Sequence, residues 1–402
     1  MEVGILFRFS LYGFLKNQRY FEPFLVLALL DRGLSFTEIG LCIAARELSA
    51  NAFEIPSGVI ADVYGRRRSM VAAFVVYVVA LGVFGLGASL WHFVAAMAMW
   101  GFGDAFRSGT HKAMILEWLR IEGRQQDKVQ VYGYTRSWSK IGSAVSAPIA
   151  AAVVWFTGSF AWVFWLAAVP YLANIANLAT YPATLDAVHT EQARTASGHV
   201  REAATHIWQT SALRRLVVEG MAFQGTYVAS KDFLQPVVQA AAVSLPILVA
   251  VDDVQRTALL VGAVYSALFA LAAVASRNAH LVAAAGPETA SQRIWWIYVA
   301  ALGALAGLLW GGLNGGAIAI FVCLAVLQNV FRPILVSRFD DHSEPRFGAT
   351  LLSVEAQAGS LATVVLAPLI GLAVDVAGSL WPVGAIGAVL ALTIVSWSHS
   401  DR

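Results

Sequence analysis

The stretch Gly58-Val59-Ile60-Ala61-Asp62-Val63-Tyr64-Gly65-Arg66-Arg67-Arg68 separates two long apolar runs, residues 37–57 and 69–88. Each run is long enough to cross roughly 30 Å of hydrocarbon as a helix. A polar connection this short is expected to turn the chain sharply, so the two runs must lie antiparallel and side by side. Gly58 and Gly65 permit close backbone approach or a positive φ at little steric cost. Asp62 is placed to cap an exposed helix start or to accept from an arginine. Arg66, Arg67 and Arg68 should hold the turn on the cytoplasmic face.

Composition agrees. Hydrophobic residues make up 58% of the 402 positions and charged residues 13%, where a soluble chain carries about a quarter charged. The chain is therefore expected in a membrane, surrounded by lipid. A net charge of +2 gives no reason to expect nucleic acid as a partner. Cys42 and Cys323 lie in apolar runs and are expected to be buried free thiols. Arg8, Lys16 and Arg19 interrupt the first apolar run, which argues against a cleavable signal peptide.

Twelve apolar spans can be drawn, over 8–30, 37–57, 69–88, 92–118, 131–156, 160–182, 214–239, 257–276, 293–311, 316–336, 349–375 and 378–397. The predicted fold is all-α and polytopic. The longest polar segment, 183–213, is expected to be a cytoplasmic linker between a first bundle over 1–182 and a second over 214–402. Within it, residues 199–208 read as a helix lying on the membrane surface, and His189, His199 and His206 as solvated side chains rather than metal ligands. With both termini inside, cytoplasmic segments hold most Lys and Arg, and exterior loops hold Arg32 and Arg256. That bias sets the orientation, with a bacterial inner membrane as the expected location.

The loop of residues 58–68 resembles the signature Gly-x-x-x-Asp-x-x-Gly-Arg-x-Arg that joins helices 2 and 3 of the major facilitator superfamily. Val63 departs from the pattern, at a position where the family usually places a basic residue. The resemblance implies two pseudo-symmetric six-helix bundles that rock about a central solute site, a mechanism of alternating access driven by an ion gradient. It also implies that helices 3, 6, 9 and 12 support the bundles from outside. Between their ends, spans 3, 6, 9 and 12 carry no Lys, Arg, Asp or Glu. Ionisable groups inside a membrane are costly and usually face a partner or a watery cavity, so the charges of the other spans outline a solute path.

Those charges are the candidate site. In span 1, Lys16, Arg19 and Tyr20 fall at i, i+3 and i+4, with Glu22 three residues after Arg19 and Pro23 as a kink. Two roles stay open for them, contact with an anionic group or an internal ion-pair network. Span 2 carries Arg46 and Glu47, with Glu54 nearer the signature loop and read as structural. In span 4, Asp104, Arg107 and His111 should form a ladder on one helix face, and Gly101 and Gly103 let a neighbour approach. The arginine that many superfamily members place earlier in this helix is Met97 here. Arg107 is expected to stand in for it, with Asp104 as a titrating partner. In span 5, Arg136 and Lys140 put two like charges one turn apart, unfavourable unless acids or an anion face them. The following residues 142–152 are similar to the helix-5 motif of antiporters, but Ser146, Ala147, Ala151 and Ala152 interrupt it. Lys231 and Asp232 in span 7, Gln328 and Arg332 in span 10 and Glu355 in span 11 complete the set.

No nucleotide-binding loop, metalloprotease motif or serine elbow is present in the sequence, so the chain is expected to be neither an enzyme nor ATP-driven, and no cofactor or metal is called for. The expected function is secondary active transport of a small organic solute, coupled to protons, with a slight lean to export of an anionic, zwitterionic or amphiphilic compound by a monomer. Import of an organic anion or siderophore-like solute is the alternative, and a non-transporting receptor or scaffold is an alternative of another class.

Overall fold

In the computed structural model, the structure describes residues 2–186, 205, 207–246, 250–284, 286–343 and 348–400. Of the expected linker, residues 187–204 and 206 lie outside the described residues, and with them His189, His199, His206 and most of the surface helix. Among the described residues the chain is helical without strands. In order the helices are α1 Glu2–Lys16, α2 Leu25–Asp31, α3 Phe36–Tyr64, α4 Arg66–Leu86, α5 Leu90–Arg107, α6 Thr110–Ile121, α7 Lys128–Thr157 and α8 Trp162–Ala179. They continue with α9 Ser211–Lys231, α10 Leu234–Ser244, α11 Asp253–Ala283, α12 Pro287–Trp310, α13 Asn314–His342, α14 Gly348–Ala377 and α15 Pro382–Ser400.

Seven of these helices, α4, α7, α8, α11, α12, α13 and α14, are long and apolar enough to cross a membrane. The other expected spans fall on helices that are interrupted, charged or shorter. Span 1 is divided between α1 and α2 by Asn17–Phe21 and a short 3₁₀ turn at Glu22–Phe24 that carries Pro23. Proline has no N–H to continue the ladder; at the end of α1 the Asn17 amide donates to the Phe14 carbonyl at 3.2 Å and its Nδ2 to the Gly13 carbonyl at 2.7 Å. Span 4 is broken at Ser108–Gly109, where Gly109 takes a φ of 71°. Span 7 is broken at Asp232–Phe233.

The signature stretch differs from the expected turn. Helix α3 continues through Gly58 and Asp62 as far as Tyr64, and α4 begins at Arg66. The whole reversal is made at Gly65, with φ 103° and ψ 132°, a conformation that a side chain resists. Gly58 needs no such freedom, since it sits inside the helix. Gly286 repeats this geometry with φ 98° and ψ 137°, directly before α12. The sequence from Arg277 to Gln292 gives no copy of the signature.

By their contacts the described helices form two compact units. One comprises residues 1–28, 45–195 and 261–266, the other 29–44, 196–260 and 267–402. In lipid there is little hydrophobic drive between helices, so they associate by close packing and polar contact. In the first unit α4 packs on α5 and α8, and α1 on α7 and α8. Gly101 of α5 lies so near α3 that a Cβ there would stand 2.1 Å from the Arg46 carbonyl oxygen. The centre is aromatic: Tyr77 lies 4.4 Å from Trp100 and 5.4 Å from Tyr171, ring to ring. In the second unit α9 packs on α14, and α12 on α13 and α15. There Phe223 stacks on both Tyr298 and Phe331 at 4.1 Å. The N-terminus of α3 belongs to this second unit. Its Phe36 and Thr37 amides donate to Asp375 at 3.0 and 2.8 Å, capping the helix from α14. Large apolar side chains such as Leu86, Phe156, Leu369 and Val376 are exposed, as suits helices bathed in lipid.

Candidate functional site

Helix α1 ends at Lys16, and the five residues Asn17–Phe21 leave the helix ahead of the turn that carries Pro23. Lys16, Arg19 and Tyr20 therefore do not share a helix face, which corrects the i, i+3, i+4 expectation. Lys16 turns to one side and sits 5.7 Å over the Tyr12 ring. Arg19 turns to the other, 3.9 Å from both Glu22 and Asp104. Tyr20 is buried in the core.

The ladder expected in span 4 is likewise cut. Asp104 and Arg107 remain on α5 and pair at 3.0 Å, but the break at Gly109 moves His111 onto α6. The Tyr77 hydroxyl, supplied by α4, donates to Asp104 at 2.6 Å and accepts from Arg107 Nε at 3.1 Å. His111 stacks on the Tyr12 ring at 3.7 Å, and its Nε2 lies 3.2 Å from the Tyr181 hydroxyl. Nothing in the sequence spacing singled out Tyr12, Tyr77 or Tyr181. Tyr12 comes from α1, Tyr77 from α4 and Tyr181 from the bend after α8.

These breaks open a cavity of about 360 Å³ inside the first unit, between α1, the α5–α6 joint and α7. Its wall carries Lys16, Arg107, Lys112, Arg136 and Lys140, together with His111. Asn17, Thr135, Ser139 and Ser143 add neutral polar groups, and Tyr12 and Tyr132 add ring faces. Among the described residues no Asp or Glu lines it. Arg107 has Asp104 as a counter-charge behind the wall. Arg136 and Lys140 are exposed to the cavity and form no ion pair among the described residues. Lys112 lies 5.4 Å over the Tyr132 ring. Like charges brought this near need water or an anion among them.

Other candidates lie elsewhere. Arg46 and Glu47 hydrogen-bond to each other, Arg46 Nε to Glu47 Oε1 at 3.1 Å, and do not line the cavity. In the second unit Lys231 pairs with Asp232 at 2.9 Å, Gln328 donates to Gln224, and Arg332 donates to Glu355. In the signature stretch Asp62 pairs with Arg66 at 2.9 Å. The Arg67 amide donates to Asp186 at 2.8 Å and its guanidinium to the Tyr181 carbonyl at 3.0 Å, while Arg68 is exposed. Asp186 fills the space against Gly65, where a Cβ would lie 2.6 Å from its Oδ1.

The second unit holds one cluster that the sequence pattern did not reveal. Arg338 of α13 is 3% exposed and bridges Glu219 of α9 and Glu288 at the start of α12, with Glu288 Oε2 2.8 Å from Nη2. The Ser291 hydroxyl is 2.9 Å from Arg338 Nη1. Glu288 follows the positive-φ Gly286, so Gly65 and Gly286 each have an arginine–carboxylate pair close by.

The sequence matches the family described as Major Facilitator Superfamily over residues 17–354. Among curated proteins it is 31% identical over 107 residues to an uncharacterized MFS-type transporter, YxaM, of Bacillus subtilis, covering 26% of each chain. It is 28% identical over 119 residues to a hexuronate transporter of the same organism, covering 30% of this chain and 27% of that one. A vacuolar membrane amino acid uptake transporter of Schizosaccharomyces pombe is 29% identical over 149 residues, covering 36% of this chain and 24% of the other. The matched stretches thus span about a quarter of these relatives. Among solved structures, a mutant of the nucleoside transporter NupG superposes with a TM-score of 0.80 at 12% identity, covering 98% of this chain and 99% of the other. That likeness concerns the fold.

Proposed function

This chain belongs to the major facilitator superfamily, and we propose that it carries a small organic anion across a membrane by alternating access, driven by a proton gradient. It is an integral membrane transporter of a small solute and not an enzyme. The observation that carries the anionic reading is the cavity wall of Lys16, Arg107, Lys112, Arg136 and Lys140 without a carboxylate. Five cations around one polar space would repel one another, and a carboxylate or phosphate group relieves that repulsion while gaining charge-assisted hydrogen bonds. A hexuronate is an organic anion, and the relative named for it is similar over 30% of this chain.

The same reading takes the interrupted helices α1–α2, α5–α6 and α9–α10 as membrane crossings in two pieces. Twelve crossings then group as residues 1–182 and 214–402, joined by 183–213, with both termini cytoplasmic in a bacterial inner membrane. Broken helices at mid-membrane are where superfamily-type transporters bind solute, because freed backbone groups and charged side chains can face a cavity there. The altered small-residue face of α7 leans slightly to export, and import is the alternative direction.

The test is a thermal-shift screen of the purified protein against uronates, acidic and neutral amino acids, nucleosides, chelates and neutral sugars, followed by flux in proteoliposomes. Anions should stabilise, and an uncoupler should abolish accumulation. Stabilisation by neutral sugars alone would overturn the anionic reading. Full accumulation driven by sodium at symmetric pH would overturn the proton reading.

A further inference from the structure

The positive charge on the cavity wall exceeds what one negative group can answer. Of the five cations, Arg107 has Asp104 at 3.0 Å, and that carboxylate is shared with Arg19 at 3.9 Å. Lys16, Lys112, Arg136 and Lys140 form no ion pair among the described residues. Other acids of the first unit are committed elsewhere. Glu47 pairs with Arg46, Asp62 with Arg66 at 2.9 Å and Glu117 with Arg120 at 2.6 Å. Asp127 pairs with Arg124 at 2.8 Å and Asp186 with Arg67 at 3.3 Å. Glu54 and Glu122 do not line the cavity.

The neutral groups of the wall leave this imbalance in place. Tyr132, Thr135, Arg136, Ser139, Lys140 and Ser143 follow one another at helical spacing along α7 and all reach the cavity. Thr135 Oγ1 donates to the Tyr132 carbonyl at 3.0 Å and Ser143 Oγ to the Ser139 carbonyl at 3.2 Å, so these hydroxyls spend their protons on their own helix. The cations are then the donors for an oxyanion. Two of them come from outside α7 and are held by rings. Lys16 of α1 sits 5.7 Å over Tyr12, and Lys112 of α6 sits 5.4 Å over Tyr132. An aromatic face attracts an ammonium through its quadrupole but carries no net charge, so both lysines keep a full charge for the cavity.

Resting on the anionic reading above, we propose that the solute is a compact, doubly charged oxyanion, either a dicarboxylate or a phosphate monoester. Arg136 and Lys140 take its first negative charge, and Lys16 and Lys112 take its second. A monoanion leaves two lysines unanswered inside the membrane, where unbalanced charge is costly. An ammonium is a compact charge with three rotatable donors, so the lysine pair suits a flat carboxylate and a tetrahedral phosphate alike. The volume of about 360 Å³ lies at the small end of ligand cavities and fits a solute of few atoms.

The experiment is isothermal titration of the purified protein with two pairs of probes, each matched in size and differing by one charge. One pair is succinate and its monoamide, succinamate. The other is ethyl phosphate and ethyl sulfate, at about pH 7.5, above the second phosphate pKa of about 6. In at least one pair the dianion should bind about tenfold tighter or more, as expected for one added charge-assisted contact. The pair that shows the difference tells carboxylate from phosphate. K16Q and K112Q should each bring the ratio towards one while the monoanion keeps its affinity within a few-fold, a selective loss that a general packing defect does not produce. If K16Q fails to fold, K112Q carries this arm. Equal affinity within both pairs, or binding of neither dianion, overturns the double charge and leaves the anionic reading standing wherever a monoanion binds. A ratio unchanged in the folded lysine variants overturns the assignment of the second charge to them. Neutral succinamide binding as tightly as succinate would sink the anionic reading itself.

Discussion

The cationic cavity makes a quantitative claim about Arg136 and Lys140. They lie one turn apart on α7, face the cavity, and among the described residues form no ion pair. If an anionic group of the solute bridges them, each contributes a charge-assisted hydrogen bond of about 1.5–3 kcal/mol. Both side chains are exposed to a wet space, so solvent screening should hold the effect near the lower end. Arg136→Gln and Lys140→Gln keep length and polarity while removing charge. Each should weaken binding by about 1–2 kcal/mol, or roughly five- to thirty-fold in Kd. Because both touch one group, the double variant should fall short of the sum of the two, the signature of coupled neighbours. The measurement is isothermal titration of the best anion from the stability screen against wild type and the three variants, at two salt concentrations. Weaker binding at high salt in the wild type, and a smaller salt effect in the variants, would follow from the same cause. Unchanged affinity in both single variants, with the fold intact, would refute the assignment of this cavity as the anion site.

Three further outcomes are expected. Asp62 pairs with Arg66 beside the reversal and does not line the cavity, so Asp62→Asn should slow transport while leaving equilibrium binding within a few-fold; complete loss of binding in a folded variant would contradict this. Gly65→Ala should lower the melting temperature more than Gly286→Ala. Both incur the positive-φ penalty of about 1–3 kcal/mol, but only at Gly65 does the new Cβ meet a side chain, Asp186, while Gly286 has nothing within 4 Å. Equal losses in differential scanning calorimetry would count against that account. Arg338→Gln should destabilise the protein by about 3–5 kcal/mol, the scale for stranding a buried charge, since Glu219 is 2% exposed; Glu219→Gln introduced into Arg338→Gln should recover part of the loss in chemical denaturation, and no recovery would point to a packing defect instead.

Much of this could be read from the residues alone because bilayer physics constrains a chain strongly. Apolar runs of membrane length, the glycines and arginines of residues 58–68, and the confinement of charge to certain spans do not depend on long-range contacts. They led to an all-helical membrane transporter of this family. Where periodicity was extended through Asn17–Phe21 and Ser108–Gly109, it failed, because it assumes an unbroken helix. Helix α1 stops at Lys16 and α5 at Arg107, and each break rotates the next residues to another face. Thus Arg19 reaches Asp104 while Lys16 reaches the cavity.

What only tertiary structure decided was partnership. Asp104 and Glu355 are both acids in apolar helices; Arg107 stands three residues after the first, and the helix of the second carries no cation. Tyr77, twenty-seven residues away, fastens the first, whereas Gly220 leaves one oxygen of the second without a donor. The positive φ of Gly286 was equally hidden, because a glycine in that conformation needs no arginine run to mark it. Its anchor, Arg338, arrives from a helix fifty residues later. A charge in a membrane is costly wherever it stands, so sequence alone identifies which charges need an explanation. Which of them is paired, and which remains open to a proton or an anion, depends on side chains that the fold brings from other helices.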